Sequence, residues 1–310
     1  MKRVYLYLIF IFFVITSCKS NYTRIGDKDA DYIPYYLKVY KADSLYKVGD
    51  FKCSYEILDS LFNEYQPVNM SLYFEYENYV KMSALFDKVK KKDVKNLVKF
   101  YDYRIEEIKQ DTLLNIAFNK TKFTEKKIRR LHSSFEMKLD TTYRNLIDQM
   151  NFIDQEIRMN DEVDWSEVRK IDLENDSLLK IQFEKKGFPN IKKVGSWKKI
   201  GEEVKGKNVD LEVILNHLSS YDCYDYYKTK IYSFVKIGLC SPKVFARFID
   251  KRSLKDKRES YYHFIPFDLN IKKNKNEDLI KEINNRRKKD GLPSVEYDLY
   301  WYNYVILNKR

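Results

Sequence analysis

Apolar residues recur at intervals of three and four along the first third of the chain, the spacing of one face of an α-helix. The first run starts near Tyr32, stops at Gly49-Asp50 and resumes at Phe51. Its apolar members are Tyr35, Tyr36, Val39, Tyr40, Leu45, Tyr46, Tyr55, Leu58, Leu61, Phe62 and Tyr65. Two later runs share this spacing: Leu72, Tyr76, Tyr79 and Leu85, then Val94, Leu97, Tyr101, Ile105 and Ile108. The pattern predicts antiparallel helices over residues 32–110.

The rest of the chain also shows helical spacing, with polar connections between the runs. Residues 111–124 have no clear period, and residues 125–157 predict one long helix with a weak second start at Thr141. Asp164, three residues before Glu167, predicts a capped helix start, and Gly187 before Phe188-Pro189 predicts its end. Shorter helices are predicted over residues 209–218, 222–235, 276–289 and 297–307, and another from Ser241-Pro242 onward.

These elements predict a mainly all-α fold. Helical hairpins over residues 32–110 are followed by connecting helices over residues 111–160 and by a second α-helical domain over residues 161–310. Residues 190–208 contain three glycines and are expected to form a loop or a minor β-hairpin. Only 8 Gly and 6 Pro occur among 310 residues, which favours helices. The 27 tyrosines are predicted mainly to pack in the core.

The first eighteen residues have a different pattern, because Lys2 and Arg3 precede an unbroken apolar run over residues 4–15. A bilayer-spanning helix needs roughly 20 apolar residues, so this run predicts a secretory signal instead. Its ending, Ile15-Thr16-Ser17-Cys18, resembles the lipobox of bacterial lipoproteins. The resemblance implies that residues 1–18 form a signal peptide, that Cys18 carries the lipid, and that residues 19–31 form a tether.

This resemblance places the protein in the envelope of a Gram-negative-type bacterium, held to the lipid bilayer through acylated Cys18. The residues after Cys18 contain no acidic pair of the kind associated with surface export, which favours an outer-membrane position facing the periplasm. The formal net charge is +12, of which Lys2 and Arg3 contribute two charges. In an exported protein this basic balance indicates a solvated surface or an anionic membrane, and no nucleic-acid partner is expected.

Three cysteines remain beyond Cys18, namely Cys53, Cys223 and Cys240. An exported compartment permits disulfides, but a continuous helix would hold Cys223 and Cys240 about 25 Å apart. Pairing therefore requires a break in that helix, and both alternatives stay open. No cysteine or histidine set has the spacing of zinc ligands, so no metal and no cofactor are predicted.

One segment resembles a tetratricopeptide repeat, a helical hairpin that stacks with neighbours to form an extended binding surface. The residues that carry the resemblance are Ala42, Tyr46, Gly49, Asp50, Phe51, Ser54, Leu58, Leu61 and Pro67. It covers one repeat, and the following helices lack the Gly-Asp-aromatic turn. The resemblance implies that further helices stack on this hairpin.

The second half resembles an uncharacterised bacterial family, the domain of unknown function 6624. The motifs that carry the resemblance, in order, are Arg169-Lys170-Ile171-Asp172, Gly187-Phe188-Pro189, Leu215-Asn216-His217, Lys236-Ile237-Gly238, Phe245-Ala246, Asp250-Lys251-Arg252 and residues 285–293. The chain departs from the family over residues 257–263, where a Gln- and Gly-containing run usually follows the Asp-Arg pair. No activity is known for this family, so the resemblance implies no reaction. It does imply a domain boundary near Asp161, where the resembling segment begins.

Candidate chemistry centres on His217, which follows an apolar helix and matches the family's histidine. It is interpreted either as a helix-terminal residue that interacts with the last carbonyls or as a general base paired with Asp222 or Asp250. Arg252 and His263 are further weak candidates, and His132 is interpreted as a surface residue. The chain contains no nucleophile elbow, phosphate loop or HExxH run.

We therefore expect a helical interaction module that binds a protein or peptide at the envelope, with the tyrosine-rich face of residues 32–79 as the contact surface. The alternatives are a hydrolase that uses His217 with a carboxylate and a structural envelope protein without a discrete ligand. Whether the protein is an enzyme is left open, with the balance against it.

Overall fold

Fifteen helices form the regular structure of the residues that the computed structural model describes, which are 22–71, 73–195, 211–264 and 277–302. No strand occurs over these ranges, where one isolated bridge pairs Thr23 with Tyr65. The predicted all-α class is confirmed. The predicted signal, Cys18 and residues 196–208 of the possible hairpin lie outside the described residues.

Six helices make up the N-terminal part. They are α1 (Ile33–Lys47), α2 (Phe51–Glu64), α3 (Glu75–Leu85), α4 (Lys91–Tyr101), α5 (Ile105–Gln110) and α6 (Thr112–Lys120). The predicted break between α1 and α2 is present, because Gly49 adopts a left-handed φ of +84° and the Asp50 side chain accepts a hydrogen bond from the Cys53 amide. The α1–α2 hairpin packs against α3, and α3 packs in turn against α6.

The connecting region contains more helices than its apolar pattern predicts. Residues 125–157 form two helices rather than one, α7 (Glu125–Glu136) and α8 (Thr141–Arg158), because the Asp140 side chain caps a new start by accepting from the Tyr143 amide. The stretch predicted as a polar connection contains α6, which the Asp111 side chain caps in the same way. Short polar caps therefore divide this region where the apolar spacing alone is ambiguous.

The described residues of the C-terminal part contain seven helices: α9 (Trp165–Lys186), α10 (Ile191–Val194), α11 (Leu211–Leu218), α12 (Tyr224–Lys236), α13 (Pro242–Lys255), α14 (Glu277–Lys289) and α15 (Val295–Tyr302). Asp164 caps α9, Gly187 ends it with a φ of +70°, and Ser241-Pro242 starts α13, as predicted. Helix α9 packs against α8, and α11 packs against α8, α9 and α13.

One large core of buried apolar side chains includes residues from Tyr32 in the N-terminal part to Leu292 in the C-terminal part, and Tyr143, Ile147 and Val194 form a second, small cluster. Most tyrosines of the described ranges pack into or against this large core, as predicted. The predicted contact surface over residues 32–79 is wrong, because its rings are the interior of the N-terminal helices. The buried tyrosines there are Tyr32, Tyr35, Tyr36, Tyr40, Tyr55, Tyr73, Tyr76 and Tyr79.

Residues 22–31, the described part of the predicted tether, lie against the helices. The Thr23 amide donates to the Glu64 carbonyl, and the Gly26 amide donates to the Ile237 carbonyl. Cys53, Cys223 and Cys240 are free thiols, and α12 runs between the last two. None of the helices over the described ranges is long and apolar enough to span a membrane.

Candidate functional site

Polar side chains are buried where α8, α9 and α11 meet. The inward face of α8 carries Asp154 between Met150 and Ile157, and the inward face of α9 carries Asp172 between Val168 and Leu179. Asp154 is fully buried and Asp172 is only 3% exposed. Ionised carboxylates need charged or hydrogen-bonding partners at such depth. Four residues from the surrounding helices and loop supply them: Gln155, Arg158, His217 and Tyr221.

Arg158 joins the two carboxylates. Its Nη1 donates to Asp154 Oδ1 at 2.6 Å, and its Nη2 reaches Asp172 Oδ1 and Oδ2 at 2.7 and 2.8 Å. The planar guanidinium can contact two carboxylates at once, which a lysine ammonium does less well. Arg158 therefore links α8 to α9 through an ion-pair network from which water is largely excluded.

His217 joins the network from the last turn of α11. Its Nδ1 lies 3.0 Å from Asp154 Oδ1, and its side chain is a quarter exposed. Burial opposes ionisation of Asp154, but hydrogen bonds from His217 and Gln155 and the charges of His217 and Arg158 hold its pKa below the usual range. Because an ionised carboxylate only accepts, Nδ1 carries the proton. Nε2 is then the nitrogen that can accept a proton from another molecule.

Tyr221 completes the cluster from the loop after α11. Its hydroxyl donates to Asp172 Oδ2 at 2.6 Å. Burial and the neighbouring Asp172 raise the pKa of Tyr221 to about 12, so the phenol keeps its proton at neutral pH. The Arg252 Nη1 donates to the carbonyls of Ser219 and Tyr221, at 3.3 and 3.4 Å, and so holds this loop in place.

The other candidate residues lie elsewhere. Asp222 is exposed, one residue beyond Tyr221. Asp250 is buried and accepts from the amides of Tyr262 and Phe264 at 2.7 and 2.6 Å, so it shapes a loop, and burial raises its pKa. His263 is buried in a left-handed conformation, and its carbonyl accepts from Arg287. Of the carboxylates considered for His217, neither Asp222 nor Asp250 is its hydrogen-bond partner in the described structure.

His132 also differs from expectation, because it is buried rather than on the surface. Its Nε2 lies 2.8 Å from Asp102 Oδ1 and its Nδ1 lies 3.4 Å from Glu136 Oε2. Asp102 adopts a left-handed φ of +62° at the end of α4. The pair links α4 to α7 and is separate from the cluster around His217.

The cluster has one arrangement that resembles a set of metal ligands. One atom each from Asp154, Asp172 and His217 can be chosen so that all three lie within 4.8 Å of one another. Two carboxylates and an imidazole suit several divalent ions. However, the Arg158 guanidinium contacts both carboxylates and already supplies positive charge between them. The geometry therefore fits an ion-pair network better than it fits a metal site.

The outward face of α9 is a second feature of interest. Leu173, Leu178 and Ile181 are 48, 40 and 47% exposed, whereas Val168, Asp172 and Leu179 on the same helix are buried. Trp165 at the start of the helix is 71% exposed. Single exposed apolar residues are common, whereas several along one helix face indicate a surface that binds something.

Sequence reasoning missed Asp154, Arg158 and Tyr221, although part of the signal was present. Asp154 follows Ile147 by seven residues and Met150 by four, so it falls on the apolar face of its helix. A charged residue at such a position requires a buried partner.

Comparison of the chain with protein-family models, with curated proteins and with solved structures finds no match.

Proposed function

We propose that this chain is a lipid-anchored envelope protein whose helical body binds a protein or peptide partner. The proposed binding function rests on one observation: large apolar side chains on the outward face of α9 are exposed to solvent. The anchor follows from the resemblance of residues 15–18 to a lipobox. This proposal replaces the tyrosine-rich contact surface of residues 32–79, because those rings are buried.

Site-specific photocrosslinking in intact cells tests the binding surface. A photoreactive amino acid at Ile181 is expected to give a discrete crosslinked product, and charging the face with Leu178→Glu should remove it. The matched control is Leu254, which is 50% exposed on α13. Equal crosslinking from positions 181 and 254 would contradict the proposed surface. Replacement of Cys18 by Ser tests the anchor separately, since the protein should then leave the membrane fraction.

A second candidate function, acid–base catalysis of hydrolysis, is favoured by the contact between His217 and Asp154. A buried carboxylate that fixes the tautomer of a partly exposed imidazole is the arrangement that general-base histidines need. The partner is Asp154 rather than Asp222 or Asp250. Hydrolysis of chromogenic esters or amides should then fall by at least about a hundredfold in His217→Gln. Equal rates in the variant and the native chain would reject it.

A further inference from the structure

The outward face of α9 carries three exposed charged residues, Arg169, Lys170 and Glu174, of which Lys170 and Glu174 can complement each other across a twofold axis. Lys170 and Glu174 lie one helical turn apart on either side of Leu173, and all three are exposed. Within the described parts of the chain, no ion pair involves Lys170 or Glu174, whereas Asp176 and Lys180 on the same helix do pair with each other. The two charges are thus available to a partner.

The spacing of these charges distinguishes between possible partner orientations. In a parallel pair of α9 helices, each Lys170 would face the other Lys170, and the like charges would repel. In an antiparallel pair with its axis near Leu173, Lys170 of each copy would approach Glu174 of the other. A twofold contact repeats every interaction, so one complementary pair on the surface gives two ion pairs in the dimer.

The length and apolar content of the face suit such a contact. Helix α9 has 22 residues and is therefore about 33 Å long. Leu173 would lie next to its symmetry mate at the axis, and Leu178 and Ile181 would extend the apolar contact toward the second copy's helix start. Ser166 and Ser177 lie along the same face, and their small side chains would allow close approach of the two helices.

We propose that α9 is the interface of a homodimer in which two copies of this chain pack antiparallel about a twofold axis near Leu173. The inference rests on the proposed function, since it names a second copy of the chain as the partner for the same surface. Asp172, the α9 member of the His217 cluster, is buried and takes no part in the proposed contact.

Disulfide crosslinking of the full chain in membranes tests the dimer. Leu173→Cys is introduced together with Cys53→Ser, because the Cys53 thiol is exposed and could form disulfides of its own. Two differently tagged copies are co-expressed, and mild oxidation should join them within minutes in a reducible product. Leu254→Cys in the same background is the control. A product at position 254 as abundant as that at 173, or none at 173, would overturn the dimer.

Charge reversal tests the antiparallel arrangement. Lys170→Glu and Glu174→Lys alone should each lower the yield of the crosslinked dimer about fivefold, because each creates like-charge contacts. The double variant should restore the native yield, since the complementary pairs return with reversed sign. If the single variants lowered the yield by misfolding, the double variant, which contains both substitutions, would not recover the native yield of crosslinked dimer. A double variant as weak as the singles would overturn this arrangement.

The two proposals fail in different ways. If photocrosslinking at Ile181 captures a different protein while the tagged copies stay separate, the homodimer is overturned and the binding function of α9 stands. If neither position gives a product above its control, both are overturned. If both assays give only products that contain this chain, identified by mass spectrometry of the crosslinked peptides, the homodimer is supported as the partner.

Discussion

Asp154 accepts hydrogen bonds from the Arg158 guanidinium in its own helix and from the His217 imidazole in α11. Asp154→Asn keeps the size of the side chain but removes its charge, and of the two carboxylates that contact Arg158 only that of Asp172 then remains. We expect the free energy of unfolding to fall by about 3 kcal/mol, because breaking a buried ion pair leaves charge poorly compensated. Urea unfolding followed by circular dichroism measures the loss.

Asp256 provides the control for this substitution. It also contacts two cations, Arg252 and Arg258, but Asp256 and Arg258 are exposed and Arg252 is only partly buried. Asp256→Asn should cost much less than Asp154→Asn, because solvent screens exposed pairs. If both variants lost the same free energy of unfolding, the burial of Asp154 would not be the reason for its contribution to stability.

His132 should make stability depend on pH. The hydrogen bond to Asp102 and the charges of Glu136 and Asp102 outweigh burial and raise the pKa of His132 above its usual value. Since the folded-state pKa exceeds the unfolded one, the stabilisation is complete below about pH 6.5 and is lost as pH rises through the folded value. The stability advantage of the native chain over His132→Gln should therefore shrink from pH 6 to pH 9 in urea unfolding. An advantage that stays constant over this range would contradict the prediction.

At the scale of the element, the two faces of α9 should respond differently to substitution. Leu179 is fully buried, so Leu179→Ala should lower the free energy of unfolding by about 3 kcal/mol. Ile181, two residues away, is nearly half exposed, and Ile181→Ser should change it by less than about 0.5 kcal/mol in dilute solution, where no partner covers the face. Thermal unfolding of both variants compares the faces, and similar losses would show that Ile181 is covered within the chain.

Helix ends show which elements the sequence can predict. The boundaries at Asp164, Gly187 and Ser241-Pro242 were predictable because each depends on local cap chemistry. The break after α4 could not be predicted in this way, because the chain turns at Asp102, a residue that favours the left-handed conformation less than glycine does. Its side chain is held there by His132, which lies 30 residues away.

The site was predictable only in part for a similar reason. His217 was identified from its position after an apolar helix, but its partner lies 63 residues away on α8. Helix periodicity identifies buried faces and does not say which faces meet. Asp154 could have been singled out as a charged residue on an apolar face, whereas the bond between Tyr221 and Asp172 depends on the path of a loop.

At the scale of the whole molecule, the N-terminal and C-terminal helices share one core. The Tyr36 hydroxyl donates to the carbonyls of Val235 and Cys240 at 2.9 and 3.1 Å. Gly238 lies against the ring of Tyr32 so closely that an added Cβ would lie 2.9 Å from a ring carbon. These contacts join segments that the sequence assigns to separate regions, on either side of the predicted boundary near Asp161.

The shared core predicts that the two regions unfold together. Tyr36→Phe removes hydrogen bonds across the junction and should lower the free energy of unfolding by about 1–2 kcal/mol. All three tryptophans, Trp165, Trp197 and Trp301, lie beyond residue 161, so their fluorescence reports the C-terminal region. In urea, the fluorescence midpoint should therefore fall together with that of circular dichroism, although the substitution is in α1.

The control is Tyr261→Phe at an exposed position, which should shift neither midpoint. If Tyr36→Phe left the tryptophan transition in place while circular dichroism changed, the C-terminal region would be an independently folding domain.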